Sequence, residues 1–228
     1  MLDQSRTTTI TTTILLTYKM KYQTLLDNVA KERKWTESEK AIFDAWRRGV
    51  AQVESNNIPT RTQGDSKKGI GRGKYQYETA AGSKTNQTAK TRLEKFLKKQ
   101  GMSLNDLPIN DRKELSRPDP DFARLSENTQ DVVFLADKVL APEAKLDDLV
   151  KGKIDFDDAW ARFHWKGSPS KLDDKRDQWQ NNVGVYYHTA LKDLAKPQQP
   201  MMPQEEPSFL DTLAAKSSGL FNSIKNLF

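Results

Sequence analysis

The sequence predicts a mainly α-helical fold with one small irregular or hairpin element around residues 60–77. Two observations carry that expectation. Apolar residues recur at three- and four-residue spacing in a series of segments, the periodicity of a single helix face. Between Asn56 and Gly73, by contrast, Pro59, Gly64, Gly69, Gly71 and Gly73 stand among polar and basic residues, a composition of loops and turns. The 228 residues leave room for one domain of about 150 residues plus extensions. The divisions read as an N-terminal arm (1–30), a helical domain (31–195), a Pro-rich linker (196–207) and an amphipathic C-terminal helix (208–228).

In chain order, the run Thr7 to Thr13, with Ile10 inside it, suits an extended arm or edge strand. Tyr18 to Ala30 reads as a short helix through Tyr22, Leu25, Leu26 and Val29, part of an appendage that docks on the domain or a partner. Thr36 followed by Glu39 is a capping-box start for a helix through Ile42, Phe43, Trp46, Val50 and Val53, which Pro59 cannot continue. Residues 86–100 place Ala89, Leu93, Phe96 and Leu97 on one face, and Gly101 stops them. A connector with Pro108, Pro118 and Pro120 leads to residues 126–140, apolar nearly all round and therefore buried, ended by Pro142. Asp155 caps a short helix with Phe156, Ala159, Trp160 and Phe163, and a last domain helix runs from Leu172 to Leu194. Pro197, Pro200 and Pro203 keep the linker non-helical. Beyond it, Phe209, Leu210, Leu213, Leu220, Phe221 and Ile224 form an apolar face. Such a face docks on its own domain, on a neighbouring subunit or partner protein, or on a membrane surface.

Composition excludes several chemistries. No cysteine means no disulfide and no thiolate metal site, and two histidines, His164 and His188, are a poor basis for a zinc centre, so no metal or cofactor is expected. The net charge of +6 is uneven. Residues 31–101 carry 17 basic and 8 acidic side chains, residues 102–150 carry 6 and 11. A basic half fits an anionic polymer, nucleic acid or a bacterial envelope, and equally a solvated surface. Nucleic acid is disfavoured, since neither aromatic–basic interleaving nor a helix-turn-helix signal is evident. No stretch is long enough for a transmembrane helix, and Ile14-Leu15-Leu16 is too short for a signal-peptide core, so export is not expected. The glycine-rich stretch lacks the Gly-Lys-Ser/Thr ending of a P-loop.

Glu54 is the candidate catalytic residue. It sits in the last turn of its helix directly after Val53. There the partial negative charge of the helix end and any apolar wall would both raise its pKa. An acid held protonated near neutral pH is what general-acid chemistry requires. The plain alternative is a helix-terminal Glu bonded to the adjoining loop.

Glu54-Ser55, with Gly71-Arg72-Gly73-Lys74-Tyr75-Gln76 further along the chain, resembles the Glu-Ser … Gly-x-x-x-Gln signature of lytic transglycosylases and goose-type lysozymes, within the lysozyme-like superfamily. The resemblance spans roughly Thr36 to Leu194 in motif-sized pieces. It implies a lysozyme-like helical domain that cleaves the MurNAc–GlcNAc bonds of peptidoglycan, with Glu54 as sole acid and base. It further implies that Ser55 binds substrate or positions Glu54, and that Gln76 lines the saccharide groove. Of Tyr75 and Tyr77, one reads as core and the other as groove, with Tyr75 taken as substrate-binding.

Asp65 lies in the loop where phage lysozymes that hydrolyse with water carry an Asp, and so marks the alternative of a hydrolytic endolysin; a loop Asp making its own turn is the simpler reading. Ala161-Arg162-Phe163-His164-Trp165-Lys166-Gly167 stands where transglycosylases carry Ala-x-Tyr-Asn-x-Gly. Phe163 lacks the hydroxyl, leaving Tyr186 and Tyr187 as candidate phenols. Trp165 stacks on a sugar ring or belongs to the core, and His164 reads as structural rather than as a base. Wall enzymes without an export signal are common in phages. The arm, linker and apolar tail suit a virion-associated enzyme acting at the host wall, the alternative being one held in the host cytoplasm until lysis. The competing class is a non-enzymatic basic virion or nucleic-acid-binding protein.

Overall fold

Tyr22, Leu25, Leu26 and Val29 fall on one face of helix α1 (Tyr22–Arg33), and all four are buried. The computed structural model describes residues 21–62, 71–79, 84–165 and 169–184. The Thr-rich run, Asp65, Tyr186, Tyr187, the Pro-rich linker and the C-terminal apolar segment lie outside the described residues. All described residues belong to the first of two units, Met1–Ala195, the second being Lys196–Phe228.

Helix α2 (Glu37–Ser55) begins as its sequence predicts. The Glu39 N–H donates to Thr36 Oγ1 at 3.1 Å and the Thr36 N–H to Glu39 Oε2 at 2.7 Å, closing a capping box. Its face of Phe43, Trp46, Val50 and Ala51 is fully buried. It stops at Asn56 and Asn57, both left-handed (φ 55° and 60°), a conformation Asn adopts more readily than most side chains.

The glycine-rich segment returns as a small antiparallel hairpin, β1 (Gly71–Arg72) and β2 (Tyr77–Glu78), with Gly71 opposite Glu78 and Arg72 opposite Tyr77. Thr62 bridges to Arg72 on the other side. Helix α3 (Thr85–Lys99) buries the predicted Ala89, Leu93, Phe96 and Leu97. Gly101 (φ 68°) ends it with a Schellman motif: the Met102 N–H reaches Leu97 O at 2.8 Å and the Gly101 N–H reaches Lys98 O at 3.1 Å.

After a 3-10 turn (Leu104–Asp106), α4 (Ile109–Leu115) and a second 3-10 turn (Phe122–Arg124) comes α5 (Glu127–Leu140). Its residues from Thr129 to Lys138 are all buried, as expected of an element apolar nearly all round. α5 is the central helix, packed by α1 and α3. Its Phe134 ring lies 5.5 Å from Trp46 and stacks on Tyr75 at 4.3 Å.

The last third departs from regular α-helix. α6 (Leu146–Val150) packs on α2. α7 (Phe156–Ala159) then widens into a π turn, Trp160–Trp165. Asp155 takes the N-cap position of α7, but its side chain makes no capping bond. α8 (Leu172–Trp179) likewise runs on into a π turn, Gln180–Gly184. The spacing predicts continuous helices here. A π turn bonds i to i+5, adding a residue to each ring and re-aiming the side chains beyond it. Among the described residues no helix is long and apolar enough to cross a membrane. Among the described residues the fold is thus mainly α with one small two-stranded antiparallel sheet.

Candidate functional site

The last turn of α2 delivers Glu54 to the place where the hairpin and the π turn meet. Glu54 Oε1 accepts the Trp160 indole N–H at 2.7 Å. His164, also on the π turn, brings Nε2 to 3.7 Å from the same oxygen and to 3.1 Å from the Tyr75 carbonyl. The Glu54 side chain retains 14% exposure. Burial pushes its pKa up from an ordinary 4.5 to about 7, against the Trp160 hydrogen bond and the charges of Lys175 and Lys138, which favour the carboxylate. The charge of Glu78, half-buried on β2, pushes the same way as burial. Burial, the apolar shelter that the sequence anticipates beside the helix end, is the leading cause. A carboxyl roughly half protonated at neutral pH can give a proton and take it back, the requirement of a single acid/base.

Ser55 is buried and fastens the helix to the hairpin. Its hydroxyl lies 2.8 Å from Lys74 O and 3.0 Å from Ala51 O. A hydroxyl has one hydrogen to give, so Ser55 is occupied by backbone and serves Glu54 by locating its neighbours. Two expectations for the hairpin are corrected. Tyr75 is not a groove residue: it is 1% exposed, and its hydroxyl lies between Arg47 Nη1 (2.9 Å) and Asp131 Oδ1 (2.5 Å). Tyr77 is core as well, its hydroxyl donating to Asp137 at 3.1 Å. Both rings enter the interior because each phenol finds a buried carboxylate there. Gln76 does not present its amide outward. It is 8% exposed at a left-handed position (φ 50°), and its Nε2 donates to Gly73 O at 2.6 Å and Arg61 O at 3.2 Å. Gln76 therefore shapes the turn; its buried Oε1 accepts no hydrogen bond among the described residues. Gly71 must approach it closely, since a Cβ there would lie 2.8 Å from that oxygen.

Gly73 shows how tightly this turn is set. Its φ is 77°, and a Cβ would stand 2.5 Å from Gln130 Oε1, the acceptor of the Lys74 N–H at 2.6 Å. Gly73→Ala is expected to lower stability by about 2–4 kcal/mol, combining left-handed strain with overpacking. Urea denaturation measures this; an alanine variant as stable as the native chain would refute the geometry.

Trp165 is half-buried at the end of the π turn, against the core, with Lys175 Nζ 5.2 Å over its ring. Trp160 is the site residue that the sequence does not disclose. Its place on the apolar face of Phe156, Ala159 and Phe163 marks it as core, and its ring is indeed 1% exposed. What spacing could not show is that its polar edge ends on Glu54. His164, read from the sequence as structural, binds the Tyr75 carbonyl and also stands beside Glu54. Buried Lys138 completes the surroundings, holding Phe163 O at 3.3 Å and Asp137 at 2.8 Å. A separate cavity of about 310 Å³, lined by Arg33, Lys138, Pro142, Lys145 and Asp147 among others, carries no comparable chemistry, Arg33 being taken up by Asp147 and Val139 O. Among the described residues no cluster of His, Asp and Glu could hold a metal ion.

Compared with protein-family models, curated proteins and solved structures, the chain matches none.

Proposed function

We propose that this protein cleaves the glycan strands of bacterial peptidoglycan at MurNAc–GlcNAc bonds, by lytic transglycosylation, on a lysozyme-like helical domain. One observation carries the reading: a single carboxyl, Glu54, sheltered at a helix end beside a glycine-rich hairpin, with its pKa pushed up to about 7. Protonated Glu54 gives its hydrogen to the glycosidic oxygen as the bond from C1 breaks. The carboxylate so formed takes the proton of the sugar's own 6-hydroxyl as that oxygen closes on C1. The product is an anhydro end, Glu54 is restored, and no second carboxylate takes part.

Hydrolysis is the second reading, and Glu78 favours it. Paired carboxylates serve water-using glycosidases, and Glu78 is close enough for its charge to act on Glu54. Asp65, the sequence candidate for that role, lies outside the described residues. The test is digestion of purified cell walls by the native chain and by Glu54→Gln, with mass analysis of the fragments. Anhydro ends from the native chain alone support transglycosylation, and products carrying added water support hydrolysis. Equal release by both proteins, or none by the native chain, ends the enzyme reading. The Thr-rich arm, Pro-rich linker and apolar tail support a virion-associated role in genome entry, for which recovery of the protein from purified particles is the measurement.

A further inference from the structure

We infer that the π turn Trp160–Trp165 divides the two oxygens of Glu54 between two tasks: Oε1 is held by the protein, and Oε2 carries the proton exchanged with substrate. Trp160 is the positioning residue of this arrangement, with His164 behind it. The inference rests on the reading of Glu54 as the acid.

The donors fix the assignment. An indole N–H can only donate, so the oxygen 2.7 Å from Trp160 Nε1 is an acceptor whether Glu54 is protonated or not. The carbonyl oxygen is the stronger acceptor of a neutral carboxyl, so the tautomer favoured by this bond carries its proton on Oε2. His164 acts in the same sense. A carbonyl can only accept, so the His164 nitrogen 3.1 Å from Tyr75 O carries a hydrogen. At 3.7 Å from Oε1 that N–H is too distant for a hydrogen bond, but its positive end still favours electron density on Oε1. Oε2 accepts no hydrogen bond among the described residues, and the side chain keeps its opening to solvent.

Trp160 and His164 are four residues apart on the π turn, a spacing that places both side chains on one face. From that face Trp160 Nε1 reaches Glu54 Oε1 at 2.7 Å and His164 Nε2 comes to 3.7 Å. Lys138 of α5 holds this turn through Phe163 O, and Lys175 of α8 lies 5.8 Å over the Trp160 ring. Among the described residues Glu78 of β2 also acts on Glu54, while the Tyr75 and Tyr77 hydroxyls are turned to Asp131 and Asp137.

The test reads Glu54 directly. Its side-chain carboxyl is followed by 13C NMR through a pH titration, the resonance being assigned by its loss in Glu54→Gln. The native chain is compared with Trp160→Phe, with His164→Phe, and with a chain carrying benzothienylalanine at position 160, which keeps the ring shape and replaces N–H by sulfur. Losing the Trp160 donor should move the Glu54 midpoint up by about half a pH unit or more, because a hydrogen bond to the charged form is gone. On purified walls, at a pH well below every midpoint, kcat should fall about tenfold with KM little changed, the signature of lost transition-state alignment. His164→Phe should move the midpoint the same way by less. An unchanged midpoint in the folded benzothienylalanine chain overturns the assignment, as does a rise in KM alone. A shifted midpoint in a protein that cleaves no wall upholds the division of the oxygens and removes the glycan reading instead.

Discussion

Glu54→Gln is expected to abolish wall cleavage and, at pH 8, to be more stable than the native chain. The activity loss reflects Glu54's place as the one group assigned to both proton transfers. General acid–base catalysis contributes about 10²–10⁴-fold, and a residue acting first as acid and then as base should stand at the upper end. The same chemistry limits the native protein, whose rate should fall about tenfold per unit as pH rises beyond about 7, where Glu54 loses its proton. The stability gain comes from linkage. In the unfolded chain Glu54 titrates near 4.5 and in the folded chain near 7. Below pH 4.5 the group is neutral in both states and makes no difference. Between the two values the unfolded chain holds fewer protons, so stability falls as pH rises. Above about 7 the full penalty is present, on the order of 3 kcal/mol for a shift of this size. Gln removes the penalty and keeps an acceptor for the Trp160 N–H at 2.7 Å. Thermal unfolding at pH 4 and pH 8 checks both limbs. Coincident melting of the two proteins at pH 8 would mean that the carboxyl is not sheltered.

Local signals in the sequence carried most of the architecture. Thr36 with Glu39, Gly101 after a periodic run, and the apolar girth of residues 126–140 each name a single physical requirement. The structure meets each one with a capping box, a Schellman motif and a buried central helix. The hairpin was legible for a related reason: glycines are needed at Gly73, where φ is positive, and at Gly71, where Gln76 crowds the backbone. The site was legible only in part. Glu54 stood out because an acid after an apolar residue at a helix end is poorly solvated. Its partners did not, because they depend on which way side chains turn. Strand alternation points Tyr75 outward and the signature points Gln76 outward, yet buried Asp131 draws the one inward and the Gly73 and Arg61 carbonyls occupy the other. The π turn that brings Trp160 and His164 to Glu54 has no periodicity of its own to read in the sequence, since the same residues fit an ordinary helical face.

Asp131→Ala is expected to cost about 3–5 kcal/mol, the range for breaking a buried ion pair by removing one partner. Asp131 lies on α5, and its Oδ1 stands 2.8 Å from Arg47 Nη1, 3.1 Å from Lys74 Nζ and 2.5 Å from the Tyr75 hydroxyl. Arg47 and Lys74 are themselves buried. Alanine would leave Arg47 with the Asp44 carboxylate and the neutral Tyr75 hydroxyl, and Lys74 with Glu127, whose side chain is largely exposed. Asn keeps the shape and one acceptor but loses the charge, so Asp131→Asn should cost less than Ala and more than a surface substitution. Pairing Asp131→Ala with Arg47→Met removes one of the stranded charges and should recover part of the loss, because the penalty belongs to the unpaired cation rather than to the missing bond. Urea midpoints of the native chain, the two single variants and the double variant measure this; strict additivity of the two substitutions would show that the pair is not coupled. The consequence reaches the site. Lys74 O holds Ser55, and Tyr75 O holds His164, so the network at Asp131 fixes the hairpin against the helix that carries Glu54. In Asp131→Ala molecules that remain folded, wall cleavage should fall while the pH at which Glu54 titrates moves less than it does in Trp160→Phe. The carboxyl would keep its shelter from α2 and Trp160 while the hairpin beside it lost its register.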